Sequence, residues 1–350
     1  MGKSKRFSSV WVYFILVMFA GSFLFLASTQ AQAQTAPIKW RAQTAWPQSW
    51  WGIMGVDYLK KRLDETVGKD VQISWHGPGD LVSTAESFNA LRQGMVEMIN
   101  STSEYWMGSF PEAALEAGYP MTWRNAEDKY IMLWEMGMLD ILREVYKEQG
   151  VFFPTGGFNM THNFWATKPI RTLKDCKGLK IRAPGTTAKV FAALGMAPVF
   201  IPHEETYMAL KLKTVDAAAT SGTIYVMAKH YEAAPYYHLP KIGSPGNATN
   251  YINMAAWQKL PAHTKEVMMS VFREFEWYRP MAGDWYETQY ITAKIEKDYH
   301  GKVVYLAQEV VDAAQAEGLK MLREAGAKSP RCGKIAKITE DYMRIVGYIK

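Results

Sequence analysis

Residues 172–221 constrain this chain more than any other stretch. Leu179 and Ile181 alternate with Lys180 and Arg182, the period of a short strand with one buried face. Pro184-Gly185 then turns the chain, and Thr186 or Thr187 is placed to cap the helix that follows. A second helix carries Ala209 and Leu210 and runs into Val215-Asp216 and the small-residue run Ala217-Ala218-Ala219-Thr220-Ser221. Arg182 therefore falls at the carboxyl end of a strand, beside a helix N-terminus. In an open α/β sheet that crevice is where ligands bind. A guanidinium there holds a carboxylate through two parallel hydrogen bonds. The plain alternative for Arg182 is a structural ion pair on a strand end.

The stretch resembles the periplasmic substrate-binding proteins of TRAP transporters, DctP type. The resemblance is carried by Lys177-Gly178-Leu179-Lys180-Ile181-Arg182, by Ala193-Leu194-Gly195, and by Ala209-Leu210 followed by Val215-Asp216, and it covers nearly all of the mature chain. It implies an α/β fold: a two-lobed periplasmic binding protein, type II-like, with hinge strands and a long lobe-bridging helix. It implies Arg182 as the grip on a ligand carboxylate, with Tyr105 and Trp46 on ligand-facing loops. His162, Asn163 and Asn159 fall where many members place a second cation or amide. His162 would act there as a protonated partner or as a neutral donor; a lone histidine is otherwise structural. Thr220 stands where some members carry asparagine, and Ala219 where keto-acid binders carry a metal-linking glutamate. With that acid missing, neither a metal nor another cofactor is expected, and small side chains leave room for a bulkier ligand. The implied partners are a small organic acid and the membrane permease subunits of the transporter. A homodimer stays open.

The N-terminus reads as a targeting segment. Lys3, Lys5 and Arg6 precede an apolar run over residues 10–27, and Ala31-Gln32-Ala33 offers a small-x-small cleavage site. Residues 1–33 are thus expected to be a signal peptide for the periplasm, with an uncleaved membrane anchor as the alternative. Their removal takes three positive charges and lowers the formal charge from +6 to +3. So small a charge gives no support to nucleic-acid binding. Cys176 and Cys332 could form one disulfide in an exported protein or stay free thiols.

In order, residues 38–43 and 71–75 read as strands around a helix with Val56, Leu59, Leu63 and Val67 on one face. A helix with Phe88, Leu91 and Met95 precedes a strand at 96–100. Residues 126–149 read as one helix, 151–154 as a strand, and Thr155-Gly156-Gly157 as the first crossing between lobes. Strands are expected at 236–240 and 251–254, the latter returning to the first lobe. A helix from Pro261 to residue 299 would bridge both lobes, kinked at Pro280; two shorter helices are the alternative. The domain reading is a first lobe over 34–156, a second over 157–252, and 253–350 supplying the bridging helix, a return to the first lobe and C-terminal helices. An internal echo supports two lobes of similar build. Glu86, Phe88, Ala90, Leu91, Arg92, Val96 and Glu97 recur 119 residues later as Glu205, Tyr207, Ala209, Leu210, Lys211, Val215 and Asp216.

No phosphate loop, dinucleotide fingerprint or Gly-x-Ser-x-Gly elbow is present, and the seven histidines are scattered. The chain is therefore read as a binder, not an enzyme. An exported enzyme acting on a small acid, or a sensory module presenting a ligand, are the competing classes. Trp46, Tyr105 and Tyr225 fall at loop positions facing the expected cleft and would suit an aryl or branched carboxylate.

Overall fold

The computed structural model describes residues 36–157, 160–201 and 205–350. Residues 1–33, expected to be a signal peptide, and Asn159 lie outside the described residues. The first sheet comprises Ile38–Thr44 (β1), Val71–His76 (β2), Met98–Ser101 (β3), Val151–Phe152 (β4) and Thr249–Asn253 (β10), in the order β2-β1-β3-β10-β4. The second comprises Asn163–Ala166 (β5), Lys180–Arg182 (β6), Ala197–Val199 (β7), Ala217–Thr220 (β8), Tyr236–Leu239 (β9) and Lys302–Tyr305 (β11), in the order β11-β9-β5-β8-β6-β7. β3, β5, β8 and β10 are buried at every residue, as strands covered on both faces must be.

The two sheets are built alike. β1 runs parallel to β3, and β10 lies antiparallel between β3 and β4. β6 runs parallel to β7 and β8, and β5 lies antiparallel between β8 and β9. The echo in the sequence marks equivalent positions. Glu97 accepts a hydrogen bond from the Arg41 N–H at 2.7 Å and donates its own N–H to the Arg41 carbonyl. Asp216, its counterpart, accepts from the Lys180 N–H at 2.9 Å and donates to the Lys180 carbonyl. Each acid thus satisfies a backbone donor on the neighbouring parallel strand and fixes its register.

Helix Val56–Val67 buries Val56, Leu59, Leu63 and Val67, the predicted stripe. Burial of each such side chain is worth about 1.5–3 kcal/mol. Residues 126–149 are not one helix. They form Ala126–Tyr130, a π-helical turn Ile131–Glu135 and Met138–Glu148, separated by Gly137 at φ 81°, a left-handed residue that an α-helix does not tolerate. Met95 lies beyond its helix, Ser87–Arg92, and is exposed instead of buried. Helix Gly185–Ala193 starts after Pro184 with no side-chain cap, so neither Thr186 nor Thr187 has the predicted capping role.

The long helix is continuous: Ala262–Trp285, a π-helical turn Tyr286–Ile291, then Thr292–Asp298. At about 1.5 Å per residue it spans roughly 55 Å. Pro280 sits inside the first segment without ending it. Along its first half the helix packs on Val56–Val67, with Tyr58 stacked on Tyr278 at 3.8 Å and Arg62 paired to Glu274 at 3.1 Å. Near its end, Ile291 and Ile295 enter the core around Trp165, Tyr225 and Tyr237 beneath the second sheet. The π-helical turn carries Glu287, fully buried, onto the N-terminus of helix Gly222–Met227. Its carboxylate accepts from the Thr223 N–H at 2.8 Å and from Lys241 at 2.9 Å.

After β11, helices Gln308–Gly326 and Pro330–Ile345 close the structure. Val310, Ala314, Met321, Leu322 and Ile335 share one apolar core with Phe164 and Phe191 of the second sheet region and Leu139 and Tyr146 of the first. Cys176 and Cys332 lie in this core as buried free thiols.

Candidate binding site between the sheets

The parallel strands of both sheets point their carboxyl ends at one cavity of about 360 Å³. β1 continues into Ala45, Trp46 and Pro47; β3 into Thr102, Glu104 and Tyr105. From the second sheet come Arg182 at the end of β6, Phe200 after β7, and Thr220 and Ser221 at the end of β8. This is the strand-end crevice expected of an open α/β sheet, built twice and face to face. A wider hollow of about 500 Å³ lies against Met121, Trp123, Pro240 and Val311 and holds none of the nominated side chains.

Arg182 is 3% exposed. Its Nε donates to the Ile201 carbonyl at 2.9 Å and its Nη1 to the Ala219 carbonyl at 3.1 Å. Two fixed carbonyls therefore orient the guanidinium plane at the cavity wall. The Ala219 side chain turns away into the core beside Phe164, so the small residue at this position does not widen the cavity for a bulkier ligand.

His162 also lines the cavity. Its Nδ1 lies 3.2 Å from the Thr187 hydroxyl, which also accepts from the Ser244 N–H at 2.9 Å. Thr187 thus ties the segment entering β5 to the segment that leads into β10. Burial, then the Arg182 charge, pushes the His162 pKa down to about 4. Both effects favour the neutral ring near neutral pH, the second of the two roles expected of His162. Its NMR ring resonances should show no titration between pH 5 and 8; a midpoint near 6.5 would mean that it charges like a free histidine.

Trp46 is held as a hub. Its indole N–H donates to Asn100 Oδ1 at 2.9 Å, and its carbonyl accepts from the Trp51 indole at 2.9 Å. Tyr105 stands at the cavity rim, 47% exposed. Its phenol pKa is raised, first by burial around the hydroxyl and then by the Glu104 charge, while Arg182 opposes the shift. Thr220 lies on the wall. Asn163 does not: it is buried in β5 opposite Thr220, and its Oδ1 accepts from the Phe164 N–H at 2.8 Å. Tyr225 does not either. It is fully buried among Trp165 and Tyr237, with its hydroxyl on the Pro235 carbonyl.

Sequence reasoning missed Glu104, Phe200 and Met160. Glu104 and Phe200 each follow a strand, so the strand-end rule that nominated Tyr105 could have found them. Met160 had no such signal; its sulfur accepts from the Thr223 hydroxyl at 3.3 Å. Burial pushes the Glu104 pKa up to about 7, against the pull of Lys129. Among the described residues no helix is long and apolar enough to cross a membrane, and no group of three or more His, Cys, Asp or Glu side chains could hold a metal ion.

Residues 42–328 match the family described as "Bacterial extracellular solute-binding protein, family 7", DctP. A monocarboxylate 2-oxoacid-binding periplasmic protein of Nostoc is 28% identical over 86% of this chain and 83% of its own. Among solved structures, a TRAP solute-binding protein of Bordetella bronchiseptica RB50, a dimer with calcium and picolinate, is 25% identical. It covers 90% of this chain and 96% of its own with a TM-score of 0.76. A TRAP periplasmic solute-binding protein of Colwellia psychrerythraea with bound calcium and pyruvate matches in fold. It is 23% identical, covers 89% and 96%, and has a TM-score of 0.79.

Proposed function

Because the chain belongs to the bacterial extracellular solute-binding proteins of family 7, we propose that it is the receptor of a TRAP transporter that captures a small organic acid in the inter-sheet cavity and delivers it to membrane permease subunits. The observation that carries this reading is the buried Arg182 guanidinium, oriented by two backbone carbonyls on the wall of a cavity of small-ligand size. A carboxylate in the cavity meets a fixed cation in a place largely shielded from water, where the attraction is stronger than at the surface. Trp46 and Tyr105 flank the ligand, and Thr220 and neutral His162 offer hydrogen bonds. The relatives support the same class. One is described as binding monocarboxylate 2-oxoacids, and two solved neighbours hold pyruvate or picolinate.

On this reading the first lobe carries the first sheet and the second lobe the second; the chain crosses near Gly156 and returns near Ala248, where β10 joins the first sheet, ahead of the expected boundary at 252–254, and closure turns about these two crossings. Residues 1–33 direct the chain to the periplasm. Capture and release need no chemistry on the ligand.

The test is thermal melting of the chain from residue 34 onward, with 2-oxo, hydroxy, aromatic and dicarboxylic acids in turn. A ligand at a hundredfold its Kd adds about 2.7 kcal/mol of stability, which a melting curve resolves. One acid class should raise Tm. No shift from any acid, on protein shown free of carried-over ligand, would remove the organic-acid reading.

A further inference from the structure

The cavity that Arg182 lines from the second sheet is lined from the first by a carboxyl group. Glu104 sits on the 3-10 turn Ser103–Trp106 that follows β3. Its backbone N–H donates to Thr102 Oγ1 at 3.2 Å, and no hydrogen bond joins its carboxyl oxygens to another described residue. Lys129 acts on it from within the first lobe. That ammonium is already engaged by the Glu116 carbonyl at 2.8 Å and lies 5.0 Å from the Trp123 ring centre, so it does not neutralise Glu104 by contact. Tyr105 lines the same cavity, and its phenol responds to both charges, raised by Glu104 and lowered by Arg182.

A cavity lined by both a guanidinium and an unmatched carboxyl is a poor fit to a simple anion. An ionised Glu104 repels such a ligand, and burying it unpaired is costly. We propose that the cavity is shaped for a small zwitterion, its carboxylate on Arg182 and a protonated amine on Glu104. This rests on the organic-acid reading and narrows it. The ammonium supplies the cation and the N–H donors that the Glu104 oxygens lack.

The test compares matched acids on one carbon skeleton by isothermal titration calorimetry at about pH 8, where the amine of a free amino acid, made more basic by its own carboxylate, keeps most of its proton. The pairs are pyruvate with alanine, 4-methyl-2-oxopentanoate with leucine, and phenylpyruvate with phenylalanine. For at least one pair, the wild type should bind the amino acid tenfold or more tighter. E104Q should weaken the amino acid roughly ten- to a hundredfold and leave the 2-oxo acid unchanged or tighter. E104D, which keeps the charge, should retain part of the preference. Binding of the 2-oxo acids alone, lost in R182A, overturns the zwitterion and leaves the organic-acid reading standing. Equal weakening of both partners by E104Q makes Glu104 a structural residue and overturns it too. Binding of neither member of any pair, with no Tm shift from any acid, overturns both readings together.

Discussion

Arg182→Ala should weaken acid binding by about 2–5 kcal/mol, roughly thirtyfold to several thousandfold. Three features set that size. The guanidinium is buried, so water cannot replace it at the ligand carboxylate. It is oriented in advance by the carbonyls of Ile201 and Ala219, so binding does not have to order it. Its removal also strands those two carbonyls. Arg182→Lys should fall between wild type and alanine, because an ammonium keeps the charge and loses the two-pronged geometry. A second readout separates loss of charge from loss of fold. The Arg182 charge is one of the causes that hold His162 and His230 neutral, so both pKa values should rise in Arg182→Ala. Unchanged affinity for every acid that binds the wild type would mean that the carboxylate is held elsewhere.

Local chemistry made much of this fold readable in the sequence. The alternation at 179–182 did place a strand end at Arg182, and the 119-residue echo did mark equivalent positions, because Glu97 and Asp216 perform the same backbone task in both sheets. The site was legible wherever a residue follows a parallel strand: Trp46, Tyr105 and Thr220 all reach the cavity. It failed where side-chain direction depends on packing. Asn163 and Thr220 face each other across β5 and β8, yet Thr220 alone of the two lines the cavity. Tyr225 follows a strand too, but its ring turns into the aromatic core. The charge state of His162 was equally unreadable, since it comes from burial and from a cation twenty residues away in sequence.

The crossings between the lobes carry the other large effect. Gly157→Ala should destabilise the protein by about 1–3 kcal/mol, lowering Tm by roughly 2–4 °C for each kcal/mol in a chain of this size. The reason is close approach, not backbone angle. A Cβ at Gly157 would lie 2.0 Å from the Ala248 carbonyl oxygen and 2.8 Å from the Thr249 Cβ. Those atoms belong to the second crossing, which the Thr249 hydroxyl ties to the Thr155 carbonyl at 2.9 Å. Arg279 of the long helix also donates to the Ala248 carbonyl, so pushing that backbone aside loosens a third strand of the junction. Gly156→Ala is the matched control. Its Cβ would meet the Leu133 side chain at 2.4 Å, and a leucine end can move where a carbonyl in a paired segment cannot. Gly156→Ala should therefore lower Tm less than Gly157→Ala. If the two variants melt alike, the crossings are not locked by backbone contact at residue 157, and closure of the lobes would have to be limited by the long helix instead.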